Sequence, residues 1–193
     1  MTTLSVPSKG RLRDAVLGLL GEAGYDTAHL LGRGSRTVIE GIEFIEMRPR
    51  DAATWLAAGR IDAAFISTDL VLEEGLTHLD ATPLGLARSD LVVASRDDDG
   101  RTRAADLVGA VVATHLPNAT RRYFEQQGID AQVVQMGGAL EGVCAAGLAD
   151  AIVDLRETGT SLRQNRLRVL AEIESCEALF VRSVSDSPEL VDV

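Results

Sequence analysis

One short segment contains residue types that suit the binding of a phosphorylated sugar. Asp154 ends an apolar run, and the small residues Thr158, Gly159, Thr160 and Ser161 then open a predicted helix. Backbone N–H groups in such a turn, hydroxyl groups and the amino end of a helix bind phosphate well. A carboxylate just before the turn is placed to bind hydroxyls of the attached sugar. The spacing therefore favours a phosphoribosyl site, although an ordinary capped helix after a strand explains the same fragment.

Two other turns carry cations directly after predicted strands. Lys9 and Gly10 follow a strand near the amino terminus, and Arg48 follows the strand Ile42–Met47. Open α/β folds bind ligands at the carboxyl edge of their sheets, so these cations are candidates for binding anions. A solvated charge in a surface turn is the alternative for each of them.

Other candidate residues have a structural and a functional interpretation that both stay open. Glu141 stands at a predicted helix start, where it either caps the helix or binds a ligand, and Asp69 could be a helix cap and no more. His115 has no recognisable catalytic partner in the sequence. Cys144 and Cys176 form no CxxC or zinc pattern, which indicates two buried thiols.

The elements that must position these residues alternate between short apolar runs and helical stretches. This alternation predicts an α/β protein with mixed, mostly parallel sheets and two lobes with a cleft between them. Asp51 is the predicted cap of a helix that runs through Ala58, and Pro117 starts another. The predicted strands are Leu4–Val6, Ile42–Met47, Ala63–Ile66, Leu91–Ser95, Val108–Thr114, Val133–Met136, Ala151–Leu155 and Leu179–Val184.

Composition excludes several classes of protein. The 193 residues include 19 basic and 29 acidic side chains, and the resulting net charge of −10 argues against a nucleic-acid binder. Lys9 is the only lysine. No run approaches the roughly 18 to 20 apolar residues of a membrane span, and the first residues do not form a signal peptide. We therefore expect a cytoplasmic protein that binds neither nucleic acid nor membrane.

These fragments together resemble the catalytic subunit of the ATP phosphoribosyltransferase family, the first enzyme of histidine biosynthesis. The signature runs from Glu141 through Gly147 to Asp154 and Thr158-Gly159. Further matches are Pro7-Ser8-Lys9-Gly10-Arg11-Leu12, Met47-Arg48-Pro49-Arg50-Asp51, Pro117-Asn118, Thr120-Arg121-Arg122-Tyr123-Phe124 and Gly147-Leu148-Ala149-Asp150-Ala151. The resemblance implies a two-lobed fold like that of type II periplasmic binding proteins. Its lobes would be residues 1–90 with 172–193, and residues 91–171.

The resemblance also implies a reaction and a role for each matched residue. N1 of the adenine of ATP would attack C1 of phosphoribosyl pyrophosphate, giving phosphoribosyl-ATP and pyrophosphate. Mg²⁺ would be carried by the polyphosphates, with no metal site built from the protein. The catalytic residues would be Lys9, Arg11 and Arg48, and the substrate-binding residues would be Gly10, Asp69, Leu70, Glu141, Asp154, Glu157, Thr158, Gly159, Thr160 and Ser161.

The family likeness extends to partners and leaves two alternatives. The chain stops about where the catalytic core stops, without a regulatory domain, which implies the short form. Such a form is expected to be a homodimer that assembles with a regulatory subunit like histidyl-tRNA synthetase into a hetero-octamer. The departures at Ser67, Thr68, Asp90 and Leu116 leave open a catalytically impaired paralogue. The other alternative is a small-anion-binding module of the same fold.

Overall fold

Alternating apolar runs and helices give the chain two α/β units. The computed structural model describes residues 1–30 and 35–183. The first unit is Met1–Ala87 together with the segment that begins at Glu177, and the second is Arg88–Cys176. Each unit has its own sheet and its own apolar core.

The described residues form eleven strands and seven α-helices. The strands are β1 Thr2–Pro7, β2 Arg36–Ile39, β3 Ile42–Met47, β4 Ala63–Ser67, β5 Asp80–Pro83, β6 Ser89–Arg96, β7 Val111–Thr114, β8 Gln132–Gln135, β9 Ala151–Arg156, β10 Leu167–Cys176 and β11 Ala178–Arg182. The helices are α1 Arg11–Glu22, α2 Thr27–Leu30, α3 Pro49–Ala57, α4 Thr68–Glu74, α5 Pro117–Gln127, α6 Leu140–Ala145 and α7 Thr160–Gln164.

The sheet of the first unit has the order β2-β3-β1-β4-β11-β5. Its central strands β3, β1 and β4 are parallel. Strand β11 lies between β4 and β5 and is antiparallel to both. The core packs Leu4 and Phe44 against Val16 of α1, and all three side chains are almost completely buried. Because β3, β1 and β4 are parallel, their carboxyl ends lie at one edge of the sheet.

The sheet of the second unit has the order β10-β6-β9-β7-β8. Strands β8, β7 and β9 are parallel, whereas β6 and β10 are antiparallel to their neighbours. Ile152 of β9 and Leu140 and Cys144 of α6 belong to its core. Both cysteines of the chain are buried free thiols, as predicted.

The sheets contain fewer parallel pairings than the alternation predicted. Across the described strands, four pairings are parallel and five are antiparallel. Strands β2, β5 and β10 were not predicted from the sequence, because β2 and β5 are short and partly exposed and β10 has an irregular burial pattern. All three enter their sheets antiparallel.

The start of α3 also differs from the prediction. Arg48, and not Asp51, is the residue that precedes the first helical turn, and Pro49 is the first helical residue. Proline suits this position because its fixed φ matches the helix and its missing N–H has no partner there. Asp51 lies within the first turn instead of capping it.

Candidate functional site

The parallel strands of the second unit bring three loops to one sheet edge. Thr114, the last residue of β7, is in register with Gln135 of β8 and Val153 of β9. The loops after these strands therefore begin side by side. They carry Glu141, His115 and the predicted phosphate-binding turn, so this edge collects the second unit's candidate residues.

The turn after β9 is held in shape by its own hydroxyl groups and by an arginine. Gly159 has a φ of 71°, a conformation that favours glycine, and immediately precedes α7. The hydroxyls of Thr158 and Thr160 are 3.1 Å apart. Arg163 donates hydrogen bonds to the Thr158 carbonyl at 3.2 Å and to the Thr160 hydroxyl at 3.0 Å. The turn is thus a preformed local structure. The exposed Glu157 also belongs to this turn.

Glu141 joins this turn through Ser161. The Ser161 hydroxyl donates a hydrogen bond to the Glu141 carboxylate. Glu141 lies in the first turn of α6, which follows β8, whereas Ser161 lies in α7, which follows β9. Strand β7 lies between β8 and β9 in the sheet. The structure therefore brings together two predicted site residues that are twenty positions apart.

Asp154 lies on β9 just before the turn, and its side chain is 20% exposed. Its Oδ1 accepts a hydrogen bond from the Leu155 backbone N–H at 2.8 Å. His115 Nδ1 is 3.5 Å from the same oxygen. Sequence reasoning missed this histidine because its proximity to Asp154 depends on the pairing of β7 with β9. Their juxtaposition follows from the register and from no local motif.

Asp90 has a partner that the sequence did not reveal. Arg156, the last residue of β9, donates hydrogen bonds to Asp90 at 2.7 Å and to Glu172 at 2.6 Å. The hydrogen bond from Arg156 holds the pKa of the Asp90 carboxyl below its usual range, and partial burial opposes this less strongly. The pair joins the amino end of β6 to the residue that leads into the turn. The acidic departure at position 90 is therefore matched by a local cation.

Leu116, the second departure in this unit, is explained by packing. Its side chain is completely buried. Its N–H donates to the buried Thr114 hydroxyl at 3.0 Å, and that hydroxyl donates to the Val153 carbonyl at 2.9 Å. Thr120 Oγ1 lies 3.3 Å from Thr114 Oγ1. These bonds fix the start of α5 to β9 at Val153, the residue before Asp154.

The first unit gathers its candidate cations at the edge formed by β3, β1 and β4. Pro7 is in register with Met47, and the Ser8 N–H donates to the Met47 carbonyl at 3.0 Å. Lys9 and Arg48, which follow these two neighbouring strands, are both exposed. Gly10, with a φ of 85°, precedes α1. The side chain of Arg11 lies outside the part of the chain that the structure describes.

Asp69 and Leu70 lie in the first turn of α4, after the neighbouring parallel strand β4. Asp69 is only 3% exposed, and its Oδ1 has no hydrogen-bond partner among the described residues. The side chain of Leu70 is also buried. A buried carboxylate oxygen without a donor is costly, which makes Asp69 a fitting place for a polar ligand or a water molecule.

The departure at Thr68 has a structural use in the first unit. The Thr68 N–H and hydroxyl donate to the Glu177 carbonyl at 3.0 and 3.3 Å, and the Glu177 N–H donates back to the hydroxyl at 3.1 Å. Thr68 therefore fixes the point where the chain enters β11.

The residues that the structure describes lack two further features. They contain no group of three or more His, Cys, Asp or Glu side chains that could hold a metal ion. None of their helices has the length and apolar character needed to cross a membrane.

Comparison with known proteins identifies relatives of the chain. The family model described as ATP phosphoribosyltransferase matches residues 48–192. An ATP phosphoribosyltransferase from Methanopyrus kandleri is 38% identical over 183 residues, which are 94% of this chain and 65% of that protein. The chain thus spans slightly less than two thirds of the length of this relative.

Solved structures show the same fold. A chain in the ATP phosphoribosyl transferase (HisG:HisZ) complex from Thermotoga maritima matches with a TM-score of 0.80 and 31% identity, covering 94% of this chain and 87% of that one. The periplasmic aliphatic sulphonate binding protein SsuA from Escherichia coli matches with a TM-score of 0.55 and 14% identity, covering 94% of this chain and 64% of that one. The expected α/β fold of the type II periplasmic-binding-protein class is confirmed.

Proposed function

This chain belongs to the ATP phosphoribosyltransferase family, as its motifs predicted, and we propose that it condenses ATP with phosphoribosyl pyrophosphate. N1 of adenine forms a bond to C1 of the ribose, and the C1–O bond to pyrophosphate breaks. The products are phosphoribosyl-ATP and pyrophosphate. This reaction is the first step of histidine biosynthesis.

The observation that carries the proposal is the preformed turn after Asp154. Gly159 lets the backbone turn tightly, and the hydroxyls of Thr158 and Thr160 lie 3.1 Å apart on its exposed side. Backbone N–H groups and hydroxyls of the segment Glu157–Ser161 bind the 5′-phosphate in this proposal. The partly exposed carboxylate of Asp154 accepts hydrogen bonds from the ribose hydroxyls. Glu141 supports the turn through Ser161.

The first unit supplies cations in this proposal. Lys9 and Arg11 stabilise the departing pyrophosphate, and Arg48 neutralises the phosphate charge of one substrate. Lys9 and Arg48 are exposed residues after adjacent parallel strands, which supports their action on a common ligand. Gly10 allows the backbone to approach that ligand. Asp69 and Leu70 bind the nucleotide in this proposal, and a polar group of the nucleotide supplies the hydrogen bond that Asp69 Oδ1 lacks among the described residues.

The chemistry suits a site of donors and cations. The transition state has a ribose with oxocarbenium character and a pyrophosphate that gains negative charge. Both are stabilised by fixed charges and by alignment of the reacting atoms, with little proton transfer to arrange. Mg²⁺ enters as part of the polyphosphate substrates in this proposal and neutralises part of their charge. Because the whole chain carries a net charge of −10, this proposal requires positive potential to be concentrated at the site.

The likeness to the Thermotoga maritima chain, which was solved in a HisG:HisZ complex, supports a regulatory partner. In this proposal the chain forms a homodimer that assembles with a subunit like histidyl-tRNA synthetase into a hetero-octamer. The enzyme acts in the cytoplasm.

An assay that detects phosphoribosyl-ATP by its absorbance tests the proposed function. The purified chain is incubated with ATP, phosphoribosyl pyrophosphate and Mg²⁺, with and without the regulatory subunit. We expect turnover that requires both substrates, and the omission of either is the control. Binding of both substrates without product, in the presence of the partner, would contradict catalysis and favour an impaired paralogue.

A further inference from the structure

Arg163 contacts the phosphate-binding turn but is not among the predicted site residues. It lies in α7, four positions after Gly159, and its side chain folds back over the turn. One guanidinium nitrogen donates to the Thr158 carbonyl at 3.2 Å, and the other donates to the Thr160 hydroxyl at 3.0 Å. An exposed arginine fixed by two hydrogen bonds to one turn restricts the turn's geometry.

Gly159 lies directly beside this contact. A Cβ atom at position 159 would lie 3.2 Å from the nearer guanidinium nitrogen of Arg163, which is closer than ordinary contact. The same Cβ would lie 3.7 Å from Cδ of Arg156. The second distance is ordinary van der Waals contact, so only the Arg163 guanidinium is close to where a side chain at position 159 would lie. A side chain at position 159 would displace the Arg163 guanidinium by a few tenths of an ångström, and the φ of 71° itself favours glycine.

The donor-only character of guanidinium determines how the hydroxyl protons are used. Arg163 has no acceptor, so Thr160 Oγ1 accepts its hydrogen bond and keeps its own proton. Thr158 and Thr160 share one hydrogen bond at 3.1 Å. Whichever of them donates to the other, one hydroxyl proton of the pair remains for a third acceptor. Polarisation by the guanidinium strengthens that remaining donor.

Ser161 is arranged in the opposite way. Its hydroxyl donates to the carboxylate of Glu141, which only accepts hydrogen bonds when it is ionised. The Ser161 proton is thus already in use. The turn therefore offers its hydroxyl donor from the Thr158–Thr160 pair, where an arginine keeps it available.

We propose that Arg163 is a positioning residue that orients the hydroxyls of Thr158 and Thr160 as donors to the 5′-phosphate of phosphoribosyl pyrophosphate. This inference rests on the proposed function of the same turn. Arg163 acts through the two threonines and not by contact with the reacting atoms.

Calorimetric binding of phosphoribosyl pyrophosphate with Mg²⁺ to the full chain tests this role. We expect Arg163→Met to weaken binding about tenfold, the effect of one lost hydrogen bond to the ligand. Arg163→Lys keeps a donor without an acceptor and should recover part of the affinity. Arg166→Gln is the matched control, because Arg166 is an exposed arginine three residues away whose carboxylate partner, Asp97, is 3.7 Å distant. The melting temperature of each variant reports whether it is folded.

A double-mutant cycle with Thr160→Val separates positioning from direct attraction between charges. If Arg163 acts through the Thr160 hydroxyl, Arg163→Met adds little to the loss already caused by Thr160→Val. Additive losses would overturn the inference, as would wild-type affinity in folded Arg163→Met. If the unchanged protein itself does not bind phosphoribosyl pyrophosphate, the proposed function fails, and the inference that depends on it fails too.

Discussion

Replacement of Asp154 by asparagine is the sharpest test of ribose binding. The substitution keeps the size of the side chain and one acceptor oxygen, which can still receive the Leu155 N–H now bound at 2.8 Å. It removes the negative charge and converts the second oxygen into a donor. A ribose hydroxyl that donates to this carboxylate would lose a hydrogen bond to a charged group.

The size of the effect follows from that single bond. Hydrogen bonds to charged groups contribute about 1.5–3 kcal/mol, so kcat/KM for phosphoribosyl pyrophosphate should fall about 10- to 150-fold. For Asp154→Ala, kcat/KM should fall by roughly 10²-fold or more, since both acceptor oxygens are lost. Stability should change by less than about 1 kcal/mol, because the pair that Asp154 forms with His115 at 3.5 Å is partly exposed.

Steady-state kinetics with each substrate varied in turn, combined with thermal denaturation, measures both quantities. Asp130→Asn provides the control, because Asp130 is an exposed aspartate of the same unit. The KM for ATP should change much less than kcat/KM for phosphoribosyl pyrophosphate. An Asp154→Asn protein with wild-type kcat/KM and an unchanged melting temperature would refute the ribose assignment.

Three further substitutions test other parts of the second unit. Gly159→Ala should lower the free energy of unfolding by about 1–2 kcal/mol and also weaken binding of phosphoribosyl pyrophosphate in calorimetry, because it adds a Cβ atom to a left-handed residue beside a guanidinium. Gly128→Ala, at a φ of 67° with open space around it, should lower stability without affecting binding. Asp90→Asn should weaken binding of phosphoribosyl pyrophosphate about fivefold or less. A double-mutant cycle with Arg156→Gln should show that the two losses of affinity are not additive, and full additivity would contradict coupling of this pair to the turn. Asp99→Asn should lower the free energy of unfolding by about 1–2 kcal/mol at pH 7 in urea denaturation. This cost should shrink as the pH falls below about 4 and vanish only below the folded pKa of Asp99, and an equal cost at pH 7 and below that pKa would contradict this.

The pH dependence at Asp99 follows from the environment of its carboxylate. The side chain is 6% exposed. Burial by itself raises the pKa of Asp99, but hydrogen bonds from the backbone and guanidinium of Arg101 outweigh it, and the pKa is lower than usual. An acid with a lowered pKa stabilises the fold above its unfolded pKa of about 3.9. That stability is lost as the pH falls through the folded pKa.

Local patterns in the sequence were sufficient for the features that depend on neighbouring residues. The apolar runs that became β1, β3, β4 and β9 predicted buried strands, because the side chains of their central residues meet a core. The small residues around Gly159 predicted a tight turn before a helix, and the structure has one. Family motifs then supplied the fold class, which strand alternation alone left general.

Features that depend on strand register could not be predicted in the same way. His115 and Asp154 meet because β7 pairs with β9, and Asp90 meets Arg156 because β6 runs antiparallel to β9. Neither pair has a sequence spacing that identifies it. Arg163 is different, because its distance from Thr160 is a helical spacing of three. A cationic donor one helical turn beyond a segment of small hydroxyl residues is a sequence pattern that predicts such a contact.

The position of β11 has a consequence for the order in which the protein acquires structure during synthesis. This strand lies between β4 and β5, yet it is made after every residue of the second unit. Until Ala178–Arg182 leave the ribosome, β5 has no neighbouring strand and one edge of β4 is open. The second unit is continuous in sequence and can complete its sheet first. The sheet of the first unit is therefore complete only once β11 has been made, and a product that stops before β11 would expose an unpaired strand edge that is prone to aggregation.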